Sequence, residues 1–408
     1  MRNIAVITES KSDFSRLLES VPGTQVQYMK PGTLSDYDLD LYEAFCILGG
    51  VCDTPIVLSA DERTMVEHER AEGKRVFAEF CISIGDVYCA DPAETQFKRL
   101  VFLGDNLGSL NRNDILDDQC NSSVANYVRP KGSRPVLVYK EYLVDGYSSA
   151  ALSQKEKDSF ADWALWFMTP ETLVCNFRFC NGIRARFSPV VKWRELFTAA
   201  VRWITGETSC EPEFPSAYHL DVRLGGASPE ALGACVSAGI SWFENAGILL
   251  RNGKGGVLEG LHSKIYPDGS QKYATAIRTD CSGETSLAFL SCYLLTRNPV
   301  FREKMDHLQR FCMETMQVKG GMFKGMLRWT NSAWEVCYQD DASRAIIPVL
   351  LKFLYTGDAA YMGSAVQALN FLADVTGTDG TRATRIDTIA LDEASLGELS
   401  QKPGNYPS

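Results

Sequence analysis

The stretch that decides the fold is RTDCSGE, residues 278–284, which recurs in altered form as YQDDASR, residues 338–344. An apolar run follows each copy, and each run ends in a polar turn, TRNP in the first copy and TGD in the second. An aspartate precedes the threonine of that turn by 16 residues in both copies: Asp280 and Thr296, then Asp340 and Thr356. A fixed period with helix–turn–helix content indicates a helical repeat.

The repeat predicts two helical hairpins after residue 278. Their helices are expected at Cys281–Thr296, Val300–Met316, Asp341–Tyr355 and Ala359–Val375. A leading amphipathic helix is expected over Ser228–Ala246, because Ser228 and Pro229 are start signals and Gly247 is a stop. Trp242 and Phe243 are expected on its buried side.

The first half of the chain alternates short apolar segments with helical ones. Strands are expected at Ile4–Thr8, Thr24–Met29, Ala44–Leu48, Arg75–Phe80, Arg99–Leu103 and Pro135–Tyr139, and helices at Phe14–Val21, Asp61–Glu72 and Trp193–Ile204. Such alternation predicts a flavodoxin-like parallel sheet with helices on both faces. The fold class is therefore α/β followed by α. The predicted divisions are an α/β domain over 1–205, a linker rich in glycine and proline over 206–227, and a helical domain over 228–408.

Composition excludes several classes of function. The net charge of −10 argues against non-specific binding to nucleic acid. No stretch has the length and apolarity of a signal peptide or a membrane span, so no membrane partner is expected. Thirteen cysteines without a CxxC pair indicate reduced thiols and a cytoplasmic location. The four histidines do not cluster, so we expect neither a metal nor another cofactor.

Four carboxylates are candidate catalytic residues. Two acidic groups that face one cleft can divide the roles of general acid and general base. Acids at equivalent ends of repeated helices can face one cleft, which gives the set Asp280, Glu284, Asp340 and Asp341. The competing interpretation is helix capping, because an aspartate at a helix start accepts backbone N–H bonds and suits the helix dipole.

The candidate substrate-binding residues surround those acids in sequence. Arg278 and Arg344 could clamp a substrate carboxylate, or could form salt bridges to the neighbouring acids. Aromatic rings could stack on sugar faces or belong to the core: Trp329, Trp334 and Tyr338. Glu259 and His262, ahead of a Pro-Asp-Gly turn, could bind substrate hydroxyls or lie on a surface hairpin.

The first domain resembles the class I glutamine amidotransferase-like fold. The resemblance is carried by FCILGG, residues 45–50, and by AEFC, residues 78–81. Active members place a cysteine on a Gly-x-Cys-x-Gly elbow, and here Glu79 and Ser83 replace the glycines around Cys81. The only histidine before residue 206 is His68, on the helix before Cys81. We therefore interpret Cys81 as structural and Gly49-Gly50 as a plain turn, although amidotransferase activity through Cys81 remains an alternative.

The helical half resembles a six-hairpin, or (α/α)6-toroid, glycosidase of the unsaturated glucuronyl and rhamnogalacturonyl hydrolase type. The acidic helix starts, the Thr-Gly-Asp turn and the aromatic loop ending in Trp334 carry that resemblance. It implies a carbohydrate-active protein, a glycoside hydrolase of uronic-acid-containing oligosaccharides that needs no cofactor. The alternatives are a non-catalytic sugar-binding or oligomerisation protein, and a sugar epimerase, for which only His262 is placed.

Six hairpins at this period would need far more residues than the helical half contains, and only two hairpins and one leading helix are visible. The toroid therefore looks truncated. A repeat array that stops midway leaves an apolar face uncovered. We expect a homo-oligomer, or a second chain that completes the toroid.

Overall fold

The computed structural model describes residues 2–49, 53–82, 84–85, 89–95, 98–119, 122–126, 129–141, 161–215 and 228–404. The chain divides into two compact units. The sheet unit comprises Met1–His219 with Ser263–Gln271, and the helical unit comprises Leu220–His262 with Lys272–Ser408. The boundaries drawn from the sequence stay predictions. Gly50, Ser83 and most of the expected linker lie outside the described residues.

The sheet unit contains eleven described strands. They are β1 (Arg2–Ile7), β2 (Thr24–Met29), β3 (Ala44–Leu48), β4 (Arg75–Glu79), β5 (Cys89–Glu94), β6 (Lys98–Phe102), β7 (Ile115–Leu116), β8 (Ser122–Asn126), β9 (Arg134–Glu141), β10 (Ala161–Thr169) and β11 (Thr172–Cys175). Nine of the described strands form one sheet in the order β2-β1-β3-β4-β11-β10-β9-β6-β7, and β5 pairs with β8.

The expected all-parallel sheet is only half right. Strands β2, β1, β3, β4 and β11 pair in parallel, but β11, β10, β9, β6 and β7 pair antiparallel. The reason lies in the connection, because only Pro170 and Glu171 separate β10 from β11. Two residues suffice for a hairpin, whereas a parallel crossover needs a dozen or more. Neither of these two strands was expected from the sequence.

Helices cover both faces of this sheet, as the alternation predicts. Three helices are described: α1 (Asp13–Glu19), α2 (Ala60–Ala71) and α3 (Val190–Thr205). Ser12 caps α1 and Ser59 caps α2, each through a capping box. Helices α1 and α3 bury aromatic rings against one face, where Phe14, Phe77, Phe179 and Phe197 meet edge to face, and Val66 of α2 packs on the other.

The helical unit follows the predicted hairpins. Its helices are α4 (Pro229–Asn245), α5 (Thr279–Thr296), α6 (Pro299–Arg310), α7 (Gln339–Thr356), α8 (Met362–Asp374) and α9 (Glu393–Glu398), and a π-helical turn, Phe311–Met316, extends α6. The unit also contains two small two-stranded sheets, β12 (Leu258–Leu261) with β13 (Tyr273–Ile277) and β14 (Val336–Tyr338) with β15 (Arg385–Asp387). Phe243 packs on the core as expected, but Trp242 is 43% exposed, so its predicted burial is wrong. The residues of α4 that pack on the core, Ile240 and Phe243, lie in the C-terminal half of the helix, and Trp242 is not one of them.

The turns of the two repeat copies are closed by the same hydrogen bonds. Thr296 Oγ1 donates to the Cys292 carbonyl at 2.7 Å, and Thr356 Oγ1 donates to the Lys352 carbonyl at the same distance. Both hydroxyls also accept the backbone N–H two residues later. Each helix then ends in a left-handed residue, Arg297 or Gly357. The two turns are therefore copies of one structure, and their helix starts are equivalent positions.

Helices α5 and α7 approach each other closely at Gly283. A Cβ on Gly283 would lie 2.6 Å from Ala345 Cα and 2.7 Å from the Arg344 carbonyl oxygen. Real Cβ atoms do not approach other atoms so closely, so only glycine permits this crossing. The crossing brings together the N-terminal turns of both helices, where the candidate acids lie.

The same stripe of α5 recurs on α7, where two of its apolar side chains are exposed. Positions Gly283, Leu287, Leu290 and Leu294 correspond by the repeat to Ser343, Ile347, Leu350 and Leu354. Leu290 is 1% exposed, whereas Ile347 is 45% and Leu354 is 72% exposed. Val366 and Leu369 on α8 are also exposed. Ile347 and Leu354 are thus exposed where their α5 counterparts are more buried, while the toroid and its uncovered face stay predictions.

Candidate functional site

The two helix starts are anchored by backbone hydrogen bonds rather than by side-chain caps. The Thr279 N–H donates to the Trp329 carbonyl at 3.0 Å, and the Gln339 N–H donates to the Thr384 carbonyl at 3.1 Å. Arg278 and Tyr338 occupy the two cap positions in extended conformation, and neither caps with its side chain. The acids in the first turns are thus not the helix caps, although the helix dipole still favours negative charge there.

Asp280 and Asp341 form the inner pair of carboxylates. Arg278 holds Asp280 with two hydrogen bonds, Nε to Oδ1 at 3.0 Å and Nη2 to Oδ2 at 2.7 Å. The same Nη2 donates to Asp341 Oδ2 at 3.2 Å. The two Oδ2 atoms therefore cannot lie farther apart than the sum of those two Nη2 distances, 2.7 Å and 3.2 Å. Both residues are buried, at 3% and 4% exposure.

Glu284 and Asp340 form the outer pair, which is exposed. Arg344 lies between them, with Nε 3.6 Å from Glu284 Oε1 and Nη2 3.5 Å from Asp340 Oδ2. Arg344 Nη1 also lies 3.7 Å from Asp280 Oδ2 and so connects the outer pair to the inner one. The four candidate acids thus form one cluster with two arginines.

Asp341 has the electrostatics of a proton donor. Burial raises its pKa to about 6, the negative charges of Asp280 and Asp340 add to that rise, and Arg278 opposes it. A buried carboxyl next to another carboxylate disfavours its own charge. A pKa near the working pH is what a general acid needs, because the group must both hold and release a proton.

The two arginines are salt-bridge residues, as one of the two interpretations predicted. Arg278 donates to Glu259 Oε1 at 2.9 Å besides binding the inner pair. Burial opposes the charge of Arg278, but Asp280, Glu259 and Asp341 together raise its pKa. Arg278 and Arg344 each have three acidic partners already, which weakens the expectation that either clamps a substrate carboxylate.

Aromatic rings continue from the inner pair toward the sheet of β14 and β15. The Arg278 guanidinium carbon lies 5.5 Å from the Trp329 ring centre, and Trp329 meets Tyr338 edge to face at 4.9 Å. The Arg385 guanidinium carbon lies 5.7 Å from the Tyr338 ring centre, and Asp387 holds that guanidinium. Trp329 and Tyr338 are partly exposed, so they border the acids rather than fill the core.

Trp334 lies on the same loop but has a different arginine neighbour. It is 43% exposed, and the Arg328 guanidinium carbon lies 4.6 Å from its ring centre. Arg328 also donates from Nη1 to the Trp334 carbonyl oxygen at 2.6 Å. Arg328 and Arg385 were not among the residues expected from the sequence. The only sign of Arg328 in the sequence was its position next to an aromatic residue, Trp329.

Glu259 and His262, expected ahead of the Pro-Asp-Gly turn, lie on β12 and directly after it. Glu259 reaches the cluster through Arg278. His262 is exposed, and its backbone N–H donates to the Lys272 carbonyl at 2.8 Å. A role for His262 in sugar binding or epimerisation stays a prediction.

The amidotransferase-like elbow in the sheet unit buries its thiol. Strand β4 ends at Glu79, Phe80 turns the chain with a positive φ of 47°, and Cys81 is 2% exposed. Glu79 is fully buried, accepts the Gly49 N–H at 2.6 Å and lies 4.0 Å from Arg178. Burial raises the pKa of Glu79 and Arg178 opposes the rise. This arrangement supports the interpretation of Cys81 as a structural residue.

The described residues give two further negative findings. No group of three or more histidine, cysteine, aspartate or glutamate side chains among them is arranged to hold a metal ion. No helix in that part of the chain is long and apolar enough to cross a membrane.

Comparisons with known proteins give little information. No protein-family model matches the chain, and no curated protein matches it. One similar solved structure is described as a novel alpha-amylase from Clostridium perfringens, with 17% identity over 36% of this chain and 40% of that chain and a TM-score of 0.28. Another is SMU.1228c, with 9% identity over 49% of this chain and 81% of that chain and a TM-score of 0.27. Likenesses at this level carry no argument about function.

Proposed function

We propose that this chain is a glycoside hydrolase that acts on a uronic-acid-containing oligosaccharide through the inner pair, Asp280 and Asp341. The observation that carries the proposal is the pairing itself: two buried carboxylates at equivalent helix starts, one of them with its pKa raised to about 6. Structural carboxylates more often have lowered pKa values, because their partners favour the charge.

Asp341 is the general acid in this proposal. Its protonated carboxyl donates to the glycosidic oxygen as the bond to the sugar breaks, which makes the departing group a neutral alcohol. Asp280 keeps Asp341 protonated, because its negative charge raises the pKa of its neighbour. Arg278 holds both oxygens of Asp280 and so fixes the distance between the two acids.

Asp280 is the partner carboxylate. Separations near 5 Å fit a retaining mechanism, in which the second carboxylate is the nucleophile, and roughly 6.5–9.5 Å fits inversion. The shared Nη2 donor, 2.7 Å from one Oδ2 atom and 3.2 Å from the other, keeps the pair below the inverting range. Glu284 and Asp340 are exposed and belong to the rim, where they hold Arg344 in place.

The substrate is proposed to be a sugar because partly exposed Trp329 and Tyr338 continue from Arg278 and the inner pair, and Trp334 is exposed on the same loop. Trp329, Trp334 and Tyr338 present apolar faces of the kind that pack on sugar rings. The uronic acid is the part of the proposal that rests on the resemblance of the sequence to uronide hydrolases.

The test is product release from a panel of aryl glycosides and unsaturated uronyl disaccharides. We expect wild type to cleave a uronide, Asp341→Asn to lose its activity on the disaccharides, which have poor leaving groups, and Asp340→Asn to keep most of it. Thermal unfolding of each variant controls for loss of the fold. Equal activity of Asp341→Asn and wild type on the disaccharides would remove Asp341 from the mechanism, and no cleavage by wild type across the panel would refute the hydrolase.

A second candidate function is assembly, which the exposed apolar side chains of the α7 stripe favour. The equivalent stripe of α5 is covered by α7, so Ile347 and Leu354 have the composition of a helix-packing surface. We propose that a second copy of the chain covers it. Light scattering should then show an oligomer that Leu354→Glu dissociates and that Ile389→Glu, at another exposed apolar site, leaves intact. A monomeric wild type would contradict this proposal.

A further inference from the structure

We propose that Arg328 and Trp334 form the subsite that receives the acidic group of the sugar, an assignment that rests on the proposed uronide substrate. The sequence pointed instead to Arg278 and Arg344. Each of those has three acidic partners already, so a substrate carboxylate would have to displace one of them. A subsite for the substrate carboxylate therefore needs a different cationic side chain.

Arg328 is an arginine whose charge is left unmatched and whose backbone contacts the first turn of α5. Within the described ranges it forms no ion pair, and of its side-chain nitrogens only Nη1 makes a hydrogen bond, to the Trp334 carbonyl. Nε and Nη2 are left to donate to one carboxylate in bidentate fashion, which is the geometry that favours arginine over lysine. Partial burial lowers the pKa of Arg328, so an anion beside it would restore lost electrostatic stabilisation.

The main chain fixes Arg328 next to the first turn of α5. The Thr279 hydroxyl donates to the Arg328 carbonyl, and the Thr279 N–H donates to the carbonyl of the next residue, Trp329. The Arg328 N–H donates to the Met316 carbonyl at 3.0 Å. Because Thr279 immediately precedes Asp280, the backbone of Arg328 is one residue away from the inner pair in the packed structure. This backbone link to the first turn of α5 is the observation that connects the subsite to the acids.

Trp334 supplies the apolar half of the subsite. Its ring is 43% exposed and lies 4.6 Å from the Arg328 guanidinium carbon. The cation–π contact orients the guanidinium and leaves ring surface accessible beside it. A charged group next to an apolar face matches a uronic acid, which has a carboxylate attached to a sugar ring.

Binding of D-glucuronate and of D-glucose by calorimetry tests the assignment without relying on turnover. We expect wild type and Asp341→Asn to bind glucuronate and to bind glucose more weakly. Arg328→Gln should weaken glucuronate binding roughly 10- to 100-fold and leave glucose binding unchanged, since it removes a charge-assisted bidentate pair. Arg328→Lys should restore part of the affinity.

Arg134→Gln is the matched control. It removes another arginine, an exposed one, whose guanidinium carbon lies near an aromatic ring, 5.6 Å from the Phe167 ring centre, but in the sheet unit. It should leave glucuronate binding within about twofold, which is roughly 0.4 kcal/mol and close to the spread of ordinary surface changes. Glucuronate binding that is equal in wild type and Arg328→Gln, or absent from wild type, would overturn the assignment.

Kinetics separate this inference from the proposed function. If wild type cleaves uronides and Arg328→Gln has an unchanged KM and kcat, the result supports the hydrolase and contradicts the subsite. If wild type cleaves nothing and yet binds glucuronate through Arg328, the result supports the subsite and contradicts the hydrolase. The expected result is a raised KM on uronides with kcat nearly unchanged, and no change on the matching neutral glycosides.

Discussion

Asp280 and Asp341 begin different helices, and each places its Oδ2 atom within hydrogen-bond distance of the same arginine nitrogen, Nη2 of Arg278. The repeat makes the two helix starts equivalent, and the close crossing at Gly283 brings them together. The result is a buried carboxylate pair in which one member is pushed toward its protonated form.

The rate should depend on pH through Asp341. If it is the general acid, kcat/KM should fall as pH rises above about 6, because the deprotonated carboxylate has no proton to give. Asp280→Asn removes a negative charge that raises this pKa, so any residual activity should fall at a lower pH. Glu284→Gln is the control, and its pH–rate profile should match that of wild type. A profile that stays flat between pH 5 and 8 would argue against Asp341.

Stability should also depend on pH through this residue. Its pKa is about 6 in the folded protein and 3.8 in the unfolded chain, so the folded state binds the extra proton between those values. Its contribution to stability is fully present below about pH 4 and is lost as pH rises through 6. Asp341→Asn should therefore raise the free energy of unfolding at pH 7.5, by on the order of 2 kcal/mol, and leave it nearly unchanged at pH 4. Urea unfolding at both values measures this difference, and a variant less stable than wild type at pH 7.5 would contradict it.

The crossing at Gly283 should tolerate no side chain. Gly283→Ala places a methyl 2.6 Å from Ala345 Cα, so the helices must separate, and we expect a loss of about 1–3 kcal/mol in the free energy of unfolding. Gly363→Ala on α8 is the matched control, because nothing lies within 4 Å of its added methyl, and it should be neutral or stabilising. Equal effects of the two changes on thermal unfolding would show that the crossing is not tight.

The stereochemistry of the reaction should follow the carboxylate spacing. Because one Arg278 nitrogen holds both Oδ2 atoms, the acids are too close for inversion, and we expect the sugar product to keep the anomeric configuration of the substrate. Proton NMR of the product before mutarotation measures this. An inverted first product would remove Asp280 as the nucleophile and would point to Glu284 or Asp340 as the base that activates water.

The repeat, the helix ends and the position of the four acids in the first turns of α5 and α7 could be predicted from the sequence because each depends on local pattern, whereas the role of the acids stays a proposal. Thr296 and Thr356 show this, since their turns are made by hydrogen bonds within four residues. The partners of Arg278 could be predicted only as a choice between a clamp and a salt bridge. That choice depends on Glu259 and Asp341, which are distant in sequence and are brought close by packing.

The antiparallel half of the sheet could not be predicted from alternation alone. Its strand β10 contains Trp163 and Trp166, and its partner β11 is four residues long, so the period-two signal is weak. Arg328 was missed for a different reason. Arg328 is of interest because it has no acidic partner among the described residues, and the sequence does not show which arginines lack an ion-pair partner.

The most direct test of the central claim is how the rate loss in Asp341→Asn depends on the leaving group. A general acid matters most when the departing alcohol is a poor leaving group, because that alcohol needs the proton. With aryl uronides of graded leaving-group pKa, we predict a loss of roughly 100- to 10,000-fold for poor leaving groups and almost none for nitrophenols. An equal loss across the series would contradict the assignment of Asp341 as the acid.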